Sequence, residues 1–307
     1  MSHLSSVPSD PDELRAWLAA RGLTAAADPQ HGVRTPATDR RSESRKRRDR
    51  RRNDQRPKPV AIATEQLERV RPRALATVSR LSPEGEGQAL AWIAEASRRS
   101  LTSSDLEELT APYRTLLSAL GEGVQLTESG HLPAELVPAL CSELGIPPHL
   151  VRDPSSEDDV RPLRVFLKLV KDAGLVRSAG GFLKPTAAAV RCMHVPERLW
   201  TQVAGRLPAG RRDLEVDVEW LALIAMAGGV PRLTPTPRHA VHELCVDAGW
   251  GRQGGKPMNS SAFRRLVEPT EAALVGPGYN MVFAWPSWAP AAAASVVLTP
   301  PGASSAR

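Results

Sequence analysis

Aromatic residues are scarce in this chain: Phe, Trp and Tyr together make up 4% of 307 residues. A core must therefore be filled by Leu, Val and Ala. Strand-forming residues are thinly spread, whereas Ala, Leu and Arg favour helix. Cysteine is nearly absent. Cys141, Cys192 and Cys245 form no C-x-x-C pair and their number is odd, which excludes a disulfide framework and a paired-cysteine zinc site. Their apolar helical settings mark them as reduced, buried thiols of a cytoplasmic protein. Long apolar runs are missing too. The longest, Trp220 to Ala227, falls far short of the about 20 residues that span a bilayer, and no N-terminal apolar stretch could serve as a signal peptide.

Catalytic patterns are also lacking. The chain shows no Ser-His-Asp arrangement, no paired-carboxylate motif and no nucleophile elbow. Gly251 to Gly255 with Lys256 lacks the Gly-Lys-Ser/Thr of a phosphate loop. His239, His242 and Cys245 drift around a helix and lack a fourth ligand for zinc. Glu157, Asp158 and Asp159 suit the positive end of the helix they precede better than a metal. The expectation is a protein that is not an enzyme, with no cofactor and no metal.

What the chain has is positive charge in one place. Lysine is rare, 6 residues against 34 Arg, which has the look of a high-GC coding bias. Residues 1–59 hold 14 Lys and Arg against 8 Asp and Glu, a net of +6; residues 60–307 hold 26 of each. The excess is densest at 40–58, where Arg45, Lys46, Arg47, Arg48, Arg50, Arg51 and Arg52 cluster. Such an arm buries nothing and repels itself, so 24–59 reads as disordered. It can attract nucleic acid or another polyanion by releasing counterions, without reading sequence. No aromatic interleaves it, so base stacking is not indicated.

The rest of the chain is patterned for helices. A short one is expected over 10–22, with Leu14, Trp17 and Leu18 on one face. Others follow from residue 60, over 88–99, and from Ser103 or Ser104. The middle then repeats itself: a helix, a glycine, a strand-like piece, and a Thr that opens another helix. The first copy has Gly121, Val124-Gln125-Leu126 and Thr127. The second has Gly174, Leu175-Val176-Arg177, Phe182-Leu183-Lys184 and Thr186. The third has Gly249, Arg265-Leu266-Val267 and Thr270. In the second copy Leu163, Phe166, Leu167 and Val170 share one helix face, and Ser178 to Gly181 can turn a hairpin. Helix, hairpin and helix in that order outline a winged helix. Later, Asp217 is expected to cap a buried helix from Val218 to Ala227.

The stretch Gly123-Val124-Gln125-Leu126-Thr127-Glu128-Ser129-Gly130-His131-Leu132-Pro133 resembles a motif of an uncharacterised actinobacterial helical family. It is similar to the C-terminal segment of some plasmid-type open-reading-frame proteins. Ala173 to Arg177, Leu183 to Thr186 and Leu199-Trp200 continue the likeness, which covers roughly residues 112–207. The resemblance implies a helical, winged-helix-like module and brings no catalytic activity. Pro185 and Ala188 depart from the Thr-x-x-Gly ending of the first copy.

The expected fold is mainly α: tandem winged-helix-like units with small β-hairpins and a disordered basic N-terminal arm. Residues 1–59 would be the short helix and arm, 60–207 a helical domain with two such units, 208–285 a third, and 286–307 a disordered tail. Arg161, Arg164, Lys168 and Lys171 form a basic stripe on the second-copy helix, with Arg177 and Lys184 on the wing beside it. These face where DNA phosphates would meet a winged helix; a solvated helix face would look the same in sequence. The first function expected is a DNA-associated regulatory or accessory protein. The alternative is a non-catalytic interaction scaffold whose units bind a protein partner.

Overall fold

The computed structural model describes residues 67–151, 154–229, 241–246, 248–250, 258–278 and 286–298. The chain divides into two units, Met1–Glu68 and Arg69–Arg307; the architecture below is that of the second. The helix expected over 10–22, the arm with Arg45 to Arg52, and the Gly-rich loop at 251–257 lie outside the described residues.

Among the described residues the fold is mainly helical. Helices α1 (Pro72–Val78) and α2 (Pro83–Ala96) both open on proline, whose fixed φ suits a first turn. Ser82 caps α2 by accepting the Gly85 N–H at 3.2 Å. Thr102 and Asp105 cap α3 (Ser103–Leu120) reciprocally. Strand β1 (Val124–Gln125) and α4 (Leu136–Glu143) follow. Two single 3-10 turns lead into α5 (Arg161–Asp172), the hairpin β2 (Val176–Ala179) and β3 (Phe182–Pro185), then α6 (Ala187–Cys192) and α7 (Pro196–Ala204).

The second copy forms as its pattern requires. Leu163, Phe166, Leu167 and Val170 are buried. Gly174 ends the helix with a φ of +69°. Gly180 and Gly181, both at positive φ, make the two-residue turn whose twist matches the flanking strands. Thr186 caps α6 through the Ala189 N–H at 3.1 Å, and its hydroxyl donates to the Gly174 carbonyl at 2.8 Å.

The other two copies differ from expectation. Thr127 opens no helix; its N–H donates to the His131 carbonyl at 2.9 Å and its carbonyl accepts from Gly130, closing a turn. The first-copy strand β1 pairs instead with β3, Val124 opposite Leu183, so the sheet order is β1-β3-β2, antiparallel throughout. The first and second copies thus share one sheet and are not separate units in tandem. In the third copy, Arg265-Leu266-Val267 and Thr270 lie inside helix α9 (Ser260–Val275). Asn259 caps that helix by accepting the Ala262 N–H at 2.8 Å, and Phe263, Val267, Thr270 and Leu274 form its buried face.

Helix α8 (Asp213–Ala227) is the centre of the core, buried at every residue from Asp217 to Ala227. It starts five residues earlier than expected. The Glu215 carboxylate accepts the N–H groups of Arg211 and Arg212 at 3.0 and 3.2 Å, which caps the helix upstream and draws Asp217 into the interior. Helix α8 packs against α1, α2, α9 and a last helix, α10 (Ala289–Leu298). The expected tail is therefore helical up to Leu298. Alanine is the best helix former, and its small side chain lets α10 lie close along α8. The Arg71 N–H donates to the Val297 carbonyl at 3.0 Å, and the Trp200 indole donates to Ser295 Oγ at 2.9 Å.

Helices α3, α5 and α9 meet at Tyr113. Its ring lies 5.1 Å from that of Phe166, its hydroxyl donates to the Ala273 carbonyl at 2.7 Å, and burial pushes its phenol well above the usual range. Gly276 ends α9 at a φ of +75°, where an added Cβ would stand 2.6 Å from Pro112 Cγ. Gly276→Ala is expected to cost about 1–3 kcal/mol, because it adds a forbidden φ to a steric overlap. Gly87→Ala in α2, with nothing within 4 Å of the new methyl, should instead add about 0.5–1 kcal/mol. Urea midpoints at unchanged slope read both.

Candidate nucleic-acid interface

The sequence-predicted stripe sits on α5, whose opposite face is the buried one. Arg164, Lys168 and Lys171 are exposed there. Arg164 Nη1 reaches the Asp158 carbonyl at 3.4 Å. Lys168 Nζ donates to Asp172 Oδ2 at 2.7 Å, one turn on. Arg211 Nη2 meets the other oxygen of Asp172 at 3.1 Å. Burial works to raise the Asp172 pKa, but these two cations outweigh it and hold the carboxyl below its ordinary value.

Arg161 stands apart from the stripe. Its guanidinium grips both oxygens of Glu268 on α9, with Nε at 3.0 and 2.9 Å. That bidentate grip raises the Arg161 pKa and ties the head of α5 to the body of the fold. It leaves the side chain spoken for.

On the hairpin, Arg177 is exposed on β2 and sits directly opposite Lys184 on β3. Lys184 Nζ lies 4.7 Å over the Phe182 ring, and its methylenes fill the space a side chain at Gly123 would need. Like charges paired across two strands cost stability, so this hairpin carries a repulsion that an anion would relieve.

Among the described residues no group of three His, Cys, Asp or Glu could hold a metal ion. His242 Nε2 is engaged by the Met258 carbonyl, and burial pushes the Cys245 thiol up to about 12. Glu157 faces inward and accepts the Leu132 N–H at 2.8 Å. No helix among the described residues is long and apolar enough to cross a membrane.

Two features carried no signal in the sequence. Asp217 and Glu219 are buried on α8. Arg191, Arg198 and Arg206 gather in one cleft, although seven and eight positions apart on separate elements; no spacing rule would have grouped them.

Compared with known proteins, the chain matches no family model, no curated protein and no solved structure.

Proposed function

We propose that the chain is a DNA-associated regulatory or accessory protein whose α3–Pro185 segment is a single winged-helix module. The order helix, strand, helix, helix, hairpin, with the first strand added to the far strand of the hairpin, is the connectivity of that fold. Helix α5 then takes the place of the helix that enters the major groove, and the hairpin is the wing. The observation that carries the reading is the like-charged Arg177–Lys184 pair on the wing beside the exposed Arg164, Lys168 and Lys171 face. The basic arm from Arg45 to Arg52 adds attraction without sequence preference. Arg161, held by Glu268, is outside the contact set.

A salt series of duplex binding with the full-length chain tests this. Each phosphate contact contributes about 0.9 to the slope of log affinity against log salt. Arg164→Glu with Lys168→Glu should lower that slope by about two contacts' worth, removing residues 1–59 should lower it further, and Arg161→Ala should leave it unchanged. Duplex binding that ignores salt would sink the reading. It would then favour the scaffold alternative, for which the apolar groove of about 390 Å³ lined by Leu214, Met258, Ala262 and Leu266 is the supporting feature.

A further inference from the structure

The arginine cleft lies between the end of α5, α6 and α7 as a half-open hollow of about 640 Å³, within the span of small-ligand sites, about 300–1,000 Å³. Arg191, Arg198 and Arg206 line it, and no Asp or Glu does. Six other arginines of the fold are neutralised. Arg73, Arg80, Arg99, Arg114, Arg161 and Arg212 each meet a carboxylate. The three cleft arginines meet none among the described residues. The three side chains are exposed, and three guanidiniums around one hollow set up a local positive potential.

The lining suits an anion in two further ways. Ala173, Ala188 and Gly205 are small, so the hollow is not filled from its own floor. The carbonyls at the end of α5, which would repel an anion, already have donors. Gln202 Nε2 reaches the Ala173 and Gly174 oxygens at 3.2 and 3.5 Å, and the Thr186 hydroxyl reaches Gly174 as well. Arg191 sits in the last turn of α6, where the helix's negative end steadies a cation.

We propose that this cleft binds a phosphate group, with the guanidiniums forking onto its oxygens. The phosphate belongs either to a free ligand of nucleotide size or to a nucleic-acid backbone. The inference stands independently of the duplex-binding reading.

Calorimetric titration of the full-length chain with pyrophosphate, with AMP and with a 20-base-pair duplex tests it. Pyrophosphate should bind the wild type. Arg198→Gln with Arg206→Gln should weaken it at least tenfold, whereas Arg164→Glu with Lys168→Glu should leave it unchanged. Ala188→Met, which narrows the hollow and keeps every charge, should weaken AMP at least tenfold and supplies the test if the double variant does not fold. Duplex that displaces pyrophosphate identifies a backbone phosphate as the occupant; duplex that binds alongside it identifies a free ligand. Failure of pyrophosphate to bind, equal pyrophosphate binding by wild type and the double arginine variant, or equal AMP binding by wild type and Ala188→Met overturns the proposal.

Discussion

Asp217→Ala is expected to cost about 3 kcal/mol of stability. The carboxylate is 1% exposed and holds α1 to α8. Its Oδ1 accepts the Thr77 hydroxyl at 2.9 Å and lies 3.5 Å from Arg73 Nη2, while the Arg80 guanidinium meets Oδ2. Truncation strips Thr77, itself fully buried, of its charged partner and leaves Arg80 facing an empty site, while Arg73 keeps Asp213 at 2.9 Å. Both arginines reach water at 48% and 40% side-chain exposure, which holds the loss to the lower end of the 3–5 kcal/mol typical of broken buried pairs. Asp217→Asn keeps an acceptor for Thr77 and loses only the charge, so about 1–2 kcal/mol is expected. Urea unfolding of the two variants, in a cycle with Thr77→Val, separates hydrogen bond from charge. Equal losses for Ala and Asn would refute this account.

Two residues along the same helix, Glu219 makes the fold sensitive to pH. Burial pushes its carboxyl up to about 7 from an ordinary 4.5, against the pull of the Thr270 hydroxyl and the Ala209 N–H; these reach Oε2 at 2.6 and 2.7 Å. The folded chain therefore keeps this proton across a window in which the unfolded chain gives it up. The stabilisation is complete below pH 4.5 and is lost as pH rises through about 7. A shift of this size corresponds to on the order of 3 kcal/mol. Asp172 and Glu215 are shifted downward, so their stabilisation is lost only as pH falls below the carboxylate range, outside this window. Glu219→Gln, neutral at every pH, should flatten the change in urea midpoint between pH 5 and pH 8 and should exceed the wild type in stability at pH 8. A wild type and variant that respond alike to pH would remove Glu219 from the explanation.

Local patterns were legible where one segment decides its own structure. The stripe of Leu163, Phe166, Leu167 and Val170 fixed both faces of α5, and Gly180-Gly181 fixed the turn, because periodicity and positive φ act within a few residues. Pairing across the chain was not legible. Nothing in Val124-Gln125 says that it adds to β3 some sixty residues on, so one shared sheet read as two units. Arg265-Leu266-Val267 looks like a short strand because three apolar or long residues fit either geometry; the Asn259 cap and the Gly276 stop were the signals that favour helix. The Ala- and Pro-rich end read as a frayed tail because its helix depends on the apolar flank of α8, which only tertiary packing supplies. Asp217 fits a cap position in sequence, but Glu215 caps the helix upstream.

The position of α10 has a consequence for how the chain is made. Helix α8 is complete in the growing polypeptide at residue 227, but the helix that covers its flank ends at Leu298. At synthesis rates of about 5–20 residues per second, the central helix of the core stays open for several seconds after it leaves the ribosome. During that interval it is a target for chaperones and for self-association. A message cut short anywhere in this interval would release a sticky fragment destined for proteolysis.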